Sequence, residues 1–295
     1  MFCSTIIPTV NRPTLWRAVG SVLAQNSEGD GVEVIVVNDS GEVLGAESWR
    51  ESARVRVIDT NRRERSVARN TGAALAGGAY LHFLDDDDVM VPGAMEAFAA
   101  LAARNPGAVW LYGGYQTVDN HGVLVKEFHP DLTGNIFAPL VSGESIPLQA
   151  SLLRADAFFG AGTFDPAIIG TEDRDLGRRI ALLGDVAPMA CTVARIRIGE
   201  QGSTTKWSAI AENDRRGREK ALCTVGAYAR LTSSAGSAYW RGRVARAYLA
   251  STVWNLERRH PLIALERAAV SVGVTGLHVA LPDYWRGLMT RSGQG

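Results

Sequence analysis

Between Ser4 and Asp119 the chain alternates short apolar runs with segments of helical spacing, and this alternation restricts the fold more than any other feature. Ser4–Val10 and Val32–Asp39 are β-branched runs bounded by turn residues, as expected of buried strands. The segment between them, Arg12–Asn26, carries apolar residues at helical spacing. The three segments predict a strand–helix–strand unit, and its strands must be parallel because a crossover connects them.

The alternation continues through further strands and helices. Strands are predicted at Arg54–Thr60, Ala79–Asp85 and Ala108–Asp119, and helices at Ser66–Gly78 and Pro92–Pro106. Such a pattern predicts an open α/β sheet. Ligands bind sheets of this class beyond the carboxyl ends of the strands, so polar residues at those ends are the first candidates for a site.

Four consecutive aspartates, Asp85–Asp88, follow the fourth predicted strand. Carboxylates this close repel one another, so each needs water, a hydrogen bond or a cation, or else its pKa rises. A divalent metal is the most economical countercharge, and a solvated acidic loop is the alternative. Asp39 ends the second predicted strand, so it is expected at the same edge of the sheet as the four aspartates.

Composition and the ends of the chain bear on its partners and compartment. The 295 residues have a formal net charge of zero, so bulk electrostatics favour neither nucleic acid nor an acidic membrane surface. The three widely spaced cysteines are expected to be reduced and buried. The N-terminus starts as a strand without a basic leader, and the apolar run Ala268–Leu281 looks too short to span a bilayer. A cytoplasmic protein is therefore predicted.

The remainder of the chain divides by its pattern. From Lys126 to Ile198 it mixes strand-like and helix-like segments, and after Ser208 it is mainly helical. The predicted parts are residues 1–119 and 120–207 of one domain, followed by a helical region at 208–295.

The motifs IIPTVNRP, VIVVNDSG, ARNTG, GGAYLHFLDDDD and FDPAIIGTEDRDLGRRI, in this order, resemble the family 2 glycosyltransferases of the GT-A fold. The resemblance implies an α/β fold, a GT-A-type Rossmann-like open twisted sheet with helices on both faces, plus a mainly helical C-terminal region. It also implies inverting transfer of one sugar from a nucleotide-diphosphate sugar to a hydroxyl. The acceptor would be a carbohydrate, a lipid-linked glycan or a small molecule.

The resemblance gives the aspartates a role. Asp85, Asp86 and Asp87 fall on the family's D-x-D position, where a divalent metal (Mn²⁺ or Mg²⁺) offsets the charge of the departing diphosphate. Asp87, with Asp85, is expected to bind the metal. Asp85 or Asp86 is expected to bind the donor ribose or a metal-bound water, and Asp88 to lie behind them.

Other donor-binding residues follow from the same resemblance. Pro8, Thr9 and Asn11 belong to the first motif, Asp39 matches the aspartate that binds the nucleobase, and Arg69 matches an arginine near the donor phosphates. Two alternatives stay open here. Asp39 could bond only to local backbone amides of a turn, and Arg69 could lie on the surface of a helix.

The catalytic base is expected in the segment TEDRDL. Asp173 matches the family carboxylate that takes the acceptor's proton, and Glu172 its neighbour. The alternative is a helix start in which Thr171 is the cap and the acids complement the helix dipole. Asp175 fits this alternative better than it fits a catalytic role.

The sequence departs from the family pattern at two positions. Val10 replaces an aromatic residue that packs on the nucleobase, which weakens the case for a uridine donor and leaves thymidine or guanosine donors open. Gly199 stands near the position of a histidine that helps to bind metal or diphosphate. Possible replacements are Arg197, Glu200, Gln201 and Ser203. The signature of processive synthases, Q-x-x-R-W, is absent from the sequence, which favours transfer of a single sugar.

Two other functions remain open at this point. A haloacid-dehalogenase-type phosphatase would use Asp85 as a phosphorylated nucleophile, and a non-catalytic module would only bind a sugar nucleotide or glycan. The C-terminal aromatic residues Trp240, Tyr248 and Trp254 lie among arginines. They predict either peripheral membrane contact or, with more weight, packing on the catalytic domain or on a second subunit in a homodimer.

Overall fold

The computed structural model describes residues 2–25, 31–198, 207–234 and 237–290. The chain divides into two compact units, each built from three separate stretches. The first unit consists of Met1–Gly134, Ile146–Ala167 and Leu183–Thr204, and the second of Asn135–Ser145, Ile168–Leu182 and Thr205–Gly295. The predicted division at residues 119 and 207 refers to functional parts, and it stays a prediction.

All strands of the described chain lie in the first unit and form one sheet. They are β1 (Cys3–Thr9), β2 (Val32–Asn38), β3 (Val55–Asp59), β4 (Tyr80–Phe83), β5 (Val89–Met90), β6 (Trp110–Val118), β7 (Leu124–Phe128), β8 (Ser151–Arg154) and β9 (Val186–Arg197). The unit also contains helices α1 (Leu15–Leu23), α2 (Arg65–Ala74), α3 (Ala94–Arg104) and α5 (Ala155–Gly160).

The strand order is β3-β2-β1-β4-β8-β6-β9-β5, and β7 pairs with β6. β1 is parallel to both β2 and β4, and β2 is parallel to β3. This half is the parallel sheet that the strand–helix alternation predicts. The other half is mixed, because β8 is antiparallel to both β4 and β6, and β5 is antiparallel to β9.

Helices cover both faces of the parallel half. Ile7 and Val36 belong to the buried cluster that contains the apolar residues of α1 and α3. Ile6 and Val37 precede or follow them by one position, so they face the opposite side. There they meet α2 so closely that a Cβ on Gly72 would lie 2.5 Å from Ile6 and 3.0 Å from Val37.

The second unit is helical. It contains α4 (Phe137–Val141), all but the last residue of α6 (Glu172–Leu183), α7 (Trp207–Leu222), α8 (Ala227–Ser234), α9 (Ala238–Glu257), α10 (Pro261–Thr275) and α11 (Pro282–Met289). The prediction of a mainly helical region after Ser208 is confirmed. Tyr248 is 2% exposed in this unit, and Trp254 donates a hydrogen bond to Glu212 of α7, so both contacts lie within the helical unit. Packing on the catalytic domain or on a second subunit stays a prediction.

Two expectations about apolar and thiol residues are wrong. α10 and the following 3-10 turn form one apolar segment, Pro261–Ala280, which by length and composition alone could cross a membrane. The run Ala268–Leu281 is shorter because it leaves out the first seven residues of this segment, Pro261–Arg267. Cys3 is buried as expected, but Cys191 and Cys223 are exposed, and all three thiols are free.

His82 is fully buried in β4 and bonded on both sides. Its Nε2 lies 3.0 Å from the Gln149 carbonyl and donates to it, so Nδ1 accepts from the Thr5 hydroxyl at 3.2 Å. His82 is thus a core residue with both ring nitrogens hydrogen-bonded. Burial lowers the pKa of His82 to about 4, against the bond to Gln149, which raises it.

We predict that His82 makes the fold acid-sensitive. The unfolded chain binds a proton near pH 6.5 and the folded chain near pH 4, so stability falls as the pH drops through this range. The difference amounts to about 3 kcal/mol. Urea unfolding of wild type and His82→Gln at pH 7, 5.5 and 4 should show a steeper loss for wild type. Equal losses in both proteins would contradict the prediction.

Candidate functional site

A cleft of about 210 Å³ lies at the carboxyl ends of β1, β2 and β4. Its lining includes the predicted donor residues Pro8, Thr9, Asp39, Asp85 and Asp86. The open parallel edge therefore brings these side chains together, as the position of strand ends in such sheets requires.

The four aspartates form a tight turn between β4 and β5. The backbone N–H of Asp88 donates to the carbonyl of Asp85 at 3.1 Å, and the Asp88 carboxylate accepts from the backbone N–H of Arg197 at 2.7 Å. Arg197 ends β9, and β9 pairs with β5 directly after the turn. The turn is thus fixed from both sides.

Arg12 and Thr9 bind the two carboxylates in the middle of this turn. Nη1 of Arg12 lies 2.6 Å from Asp87 and 3.2 Å from Asp86, and the Thr9 hydroxyl donates to Asp86 at 2.6 Å. Asp86 is 4% exposed, so a solvated acidic loop does not describe this segment. The sequence did not single out Arg12 as a countercharge.

Asp85 is held by a buried arginine. Nη2 of Arg69 lies 2.6 Å from Oδ1 of Asp85, and Gln149 donates to Oδ2 at 3.0 Å. Arg69 is 3% exposed, and its guanidinium lies over the Phe164 ring at 5.3 Å from the centroid. The alternative of Arg69 as a helix-surface residue is therefore wrong. Both Asp85 oxygens are engaged, which leaves this carboxylate poorly placed as the nucleophile of a phosphatase.

The turn keeps an excess of negative charge despite these partners. Burial raises the pKa values of Asp86 and Asp87, although the charge of Arg12 opposes the rise in both. Burial, and then the Asp85 charge, raises the pKa of Asp88 well above its usual range. The pKa of Asp85 is lowered, because the charges of Arg69 and Arg65 outweigh the effect of burial. A further cation would relieve this repulsion.

The residues present fit a hard divalent cation that is completed by a ligand. Among the described residues, no group of three or more His, Cys, Asp or Glu side chains is arranged to hold a metal alone. Mg²⁺ sites in nucleotide-using proteins commonly take one or two carboxylates and draw their other ligands from phosphates and water. Asp87 is half-buried beside the cleft and supplies oxygens of this kind, so the metal assignment of Asp87 and Asp85 stays a prediction.

Asp39 organises the loop that follows β3. Its Oδ1 accepts from the Thr60 hydroxyl at 2.7 Å and the Arg62 N–H at 2.6 Å, and its Oδ2 accepts from the Glu64 N–H at 2.6 Å. These are the local amide bonds of the alternative interpretation. One acceptor site of Oδ2 is left for a ligand N–H, so nucleobase binding stays a prediction.

The loop contains two residues with left-handed backbone. Asn61 has φ 53° and Arg63 has φ 51°, a conformation that costs roughly 1–2 kcal/mol per residue. The bonds to Asp39 offset this cost. As a result Arg63 donates to the Ser40 carbonyl, and with Arg65 it lines the cleft. Sequence reasoning missed both arginines, although the run NRRERS before α2 contained the signal.

Two more residues of the first motif, Val10 and Asn11, follow β1. Asn11 has φ 65°, and its N–H donates to the Thr9 hydroxyl, so it shapes the turn after β1. Val10 lines the cleft and is 54% exposed, in the place where an aromatic residue was expected. Of the candidates near Gly199, only Arg197 is described. Gly199, Glu200, Gln201 and Ser203 lie outside the described residues.

The predicted catalytic pair lies in the second unit. Glu172 is buried and Asp173 half-buried in the first turn of α6, and Asp173 accepts from the Arg174 N–H at 2.8 Å. The buried Thr171 hydroxyl has no hydrogen-bond partner among the described residues, so it does not cap the helix as the alternative required. Asp175 pairs with Arg179 at 2.6 Å, which is a structural role.

Comparisons with known proteins agree with the motif order. Residues 4–143 match the family model described as glycosyl transferase family 2. A protein of Rickettsia felis named "Uncharacterized glycosyltransferase" is 28% identical over 215 residues, which cover 68% of this chain and 35% of that protein. Poly(ribitol-phosphate) beta-N-acetylglucosaminyltransferase TarP of Staphylococcus aureus is 34% identical over 99 residues, or 32% of this chain and 30% of TarP. The chain spans about a third of the length of these relatives.

A solved structure extends the likeness to the fold. The chain is similar to S. aureus TarS 1-349 in complex with UDP-GlcNAc, with a TM-score of 0.64 and 15% identity, over 93% of this chain and 90% of that one. At this identity the likeness concerns the fold alone. The predicted GT-A-type sheet with a helical C-terminal region is confirmed.

We predict that Asp39→Asn loosens the loop from Thr60 to Glu64. An amide nitrogen cannot accept, so one of the two backbone N–H bonds is lost, at a cost of about 1–3 kcal/mol. Trypsin should cut after Arg62 and Arg63 several-fold faster than in wild type. Asp119→Asn is the matched control, because Asp119 also accepts from two backbone N–H groups but in a different, exposed turn. Unchanged cleavage in Asp39→Asn would refute the role given to this carboxylate.

Proposed function

We propose that this chain, whose residues 4–143 belong to glycosyl transferase family 2, transfers a sugar from a nucleotide-diphosphate donor to an acceptor hydroxyl. The observation that carries the proposal is the cleft at the parallel edge, where arginines and an aspartate turn meet. Both are needed for a nucleoside diphosphate, because its phosphates require cations and its ribose hydroxyls require acceptors.

The first unit would hold the donor. Arg63 and Arg65 line the cleft and suit the diphosphate, because a guanidinium can bind two phosphate oxygens at once. Asp39 has one free acceptor site for a nucleobase N–H, and Asp86 offers oxygens to the ribose. We expect Pro8 and Thr9, at the end of β1, to contact the nucleobase.

Asp87 would hold a divalent metal, whose chemistry would be Lewis-acid stabilisation of the departing diphosphate. Asp85 would assist as the second carboxylate. Arg12 binds the carboxylates of Asp86 and Asp87, so it would have to release part of this contact when the cation binds. Arg12 thus offsets part of the negative charge of the turn in the absence of donor.

The second unit would supply the base. An inverting transfer needs one carboxylate that removes the proton of the acceptor hydroxyl as its oxygen attacks the anomeric carbon, while the donor C–O bond to the diphosphate breaks. Asp173 is our candidate for this step, with Glu172 beside it to bind the acceptor. The support is their position at the start of α6, in the motif that resembles the family's catalytic segment.

The relatives suggest the chemical class of the substrates. TarS is named in complex with UDP-GlcNAc, and TarP by its transfer of N-acetylglucosamine to poly(ribitol-phosphate). We propose by analogy a nucleotide-sugar donor and a glycan-type acceptor for this chain. A cytoplasmic location, peripheral membrane contact through the C-terminal helices and a homodimer remain proposals of the same kind.

The metal-dependent donor site can be tested by thermal shift. We expect one of UDP, dTDP, GDP, ADP and CDP to raise the melting temperature, and Mn²⁺ to enlarge the rise, because a ligand of the folded state stabilises it. Asp87→Asn should remove the Mn²⁺-dependent part. Asp119→Asn, an acidic residue in an exposed turn, should retain it. No shift with any nucleotide would count against the donor site.

The base can be separated from donor binding. We expect Asp173→Asn to keep the nucleotide-dependent shift and to lower kcat by roughly 10²–10⁴-fold, which is the usual contribution of a general base. Asp156→Asn is a matched control, because Asp156 also accepts from the next backbone N–H in the first turn of a helix. Wild-type activity in Asp173→Asn would exclude it as the base. Wild-type protein that binds donor but never transfers sugar would indicate a binding module.

A further inference from the structure

Helices α6 and α7 of the second unit are joined by a buried ion pair. Nη2 of Arg178 lies 2.7 Å from Oδ1 of Asp214, and the same guanidinium donates to the carbonyls of Asp214 and Leu140. The Arg178 side chain is 1% exposed. The helices approach closely here, because a Cβ on Gly217 would lie 3.0 Å from an oxygen of Asp175.

One helical turn from this pair, each helix carries another arginine. Arg174 precedes Arg178 by four residues on α6, and Arg218 follows Asp214 by four residues on α7. Residues at this spacing share a helix face. The guanidinium groups of Arg174 and Arg218 make no hydrogen bond or ion pair with any part of the chain that the structure describes.

The position of Arg218 destabilises the fold, because its charged side chain is partly desolvated. Its Nε is enclosed without a partner among the described residues. Burial, and then the charge of Arg178, lowers the pKa of Arg218 to about 10. Desolvation of a charge without a partner destabilises a fold, so such a residue is typical of a functional position.

The balance of charge around these residues is positive. Arg174, Arg178, Arg215 and Arg218 act on this neighbourhood against the carboxylate of Asp214. Asp175 also approaches α7 but is paired with Arg179, and Asp173 precedes Arg174, so the arginines outnumber the carboxylates that they face. Glu219 is near Arg218, but its carboxylate is already bound to Arg267 and Ser251. The cluster therefore has capacity for a multiply charged anion rather than for one carboxylate.

We propose that Arg174 and Arg218, supported by Arg178, bind a phosphate or diphosphate group of the acceptor substrate. The proposal rests on the proposed function in one respect: the group bound is taken to be part of the acceptor. Guanidinium groups match phosphate oxygens in pairs, and phosphate carries the charge that the cluster lacks.

The position of the cluster along α6 suits this role. Arg174 follows Asp173 directly, and Arg178 lies about 7.5 Å further along the axis than Asp173, at 1.5 Å per residue. A phosphate bound by these arginines would hold its substrate beside the carboxylate that is our candidate base. The reacting hydroxyl would then belong to the part of the acceptor that carries the phosphate.

The probe is inorganic pyrophosphate, titrated calorimetrically into the full chain without added metal. We expect Arg174→Gln/Arg218→Gln to weaken binding at least tenfold. Arg216→Gln removes an exposed positive charge of α7, two residues from Arg218, and should change binding less than twofold. Pyrophosphate can also bind at Arg63 in the donor cleft, so the comparison is repeated in the Arg63→Gln background, where the loss caused by the double variant should persist. Pyrophosphate that binds wild type and the double variant equally, or does not bind wild type, would overturn the proposal.

A further variant tests whether a loss of binding could instead result from misfolding. Arg218→Met keeps most of the side-chain volume and removes the desolvated charge, so its melting temperature should equal or exceed that of wild type while pyrophosphate binding falls. A large fall in melting temperature would instead assign Arg218 a structural role and contradict the proposal. Arg174→Gln, at a half-buried position, provides a second variant that should weaken binding by itself.

Two further measurements distinguish the possible sources of the phosphate, and a failure of this proposal from a failure of the proposed function. Sedimentation with phosphatidylcholine vesicles, with and without phosphatidylglycerol, distinguishes a lipid phosphate from a soluble phosphate ester. Either source supports the site if the double variant abolishes the binding. The nucleotide thermal shift of the same proteins tests the donor site independently. Arginine-dependent pyrophosphate binding without any nucleotide shift would retain the anion site and reject the transferase function.

Discussion

The edge of the sheet that carries the cleft depends on how four adjacent carboxylates are kept together. Each is tied down by a different element: Asp85 by α2, Asp86 by β1, Asp87 by the segment before α1, and Asp88 by β9. Because these ties come from distant parts of the chain, the aspartate turn also holds the elements in register. If a bound metal ion replaced one arginine of this network, that arginine would be Arg12, because its side chain is far more exposed than that of Arg69.

The parallel half of the sheet could be predicted because its signals are local. Strands such as Val32–Asn38 are rich in β-branched residues, and helices α1 and α2 connect β1 to β2 and β3 to β4. The mixed half could not, because β8 and β9 do not continue the strand–helix alternation, so no local pattern gives their neighbours or their directions. The register of β9 against β6 also shifts at Gly113 and Gly114, where a Cβ would collide with Val193 or crowd Phe128.

The candidate site shows the same division. Asp39 and the aspartate turn were placed correctly, because strand ends in such sheets converge. Arg12 and Arg63 were missed, because each owes its position to a loop conformation that sequence spacing does not reveal. For Arg63 that conformation includes a positive φ, stabilised by a carboxylate 24 residues earlier (63 − 39). The roles of Asp173 and Glu172 came from the family resemblance and remain predictions.

The late position of β9 has a consequence for synthesis on the ribosome. β5 pairs with β9 alone, and Met90 must wait for Ala194, which is 104 residues later (194 − 90). At roughly 5–20 residues per second, this delay is roughly 5–20 s. Throughout it, β6 also lacks its longest neighbour, and unpaired strand edges recruit other chains. We therefore expect the nascent polypeptide to be most prone to aggregation, and most dependent on chaperones, before its last strand leaves the exit tunnel.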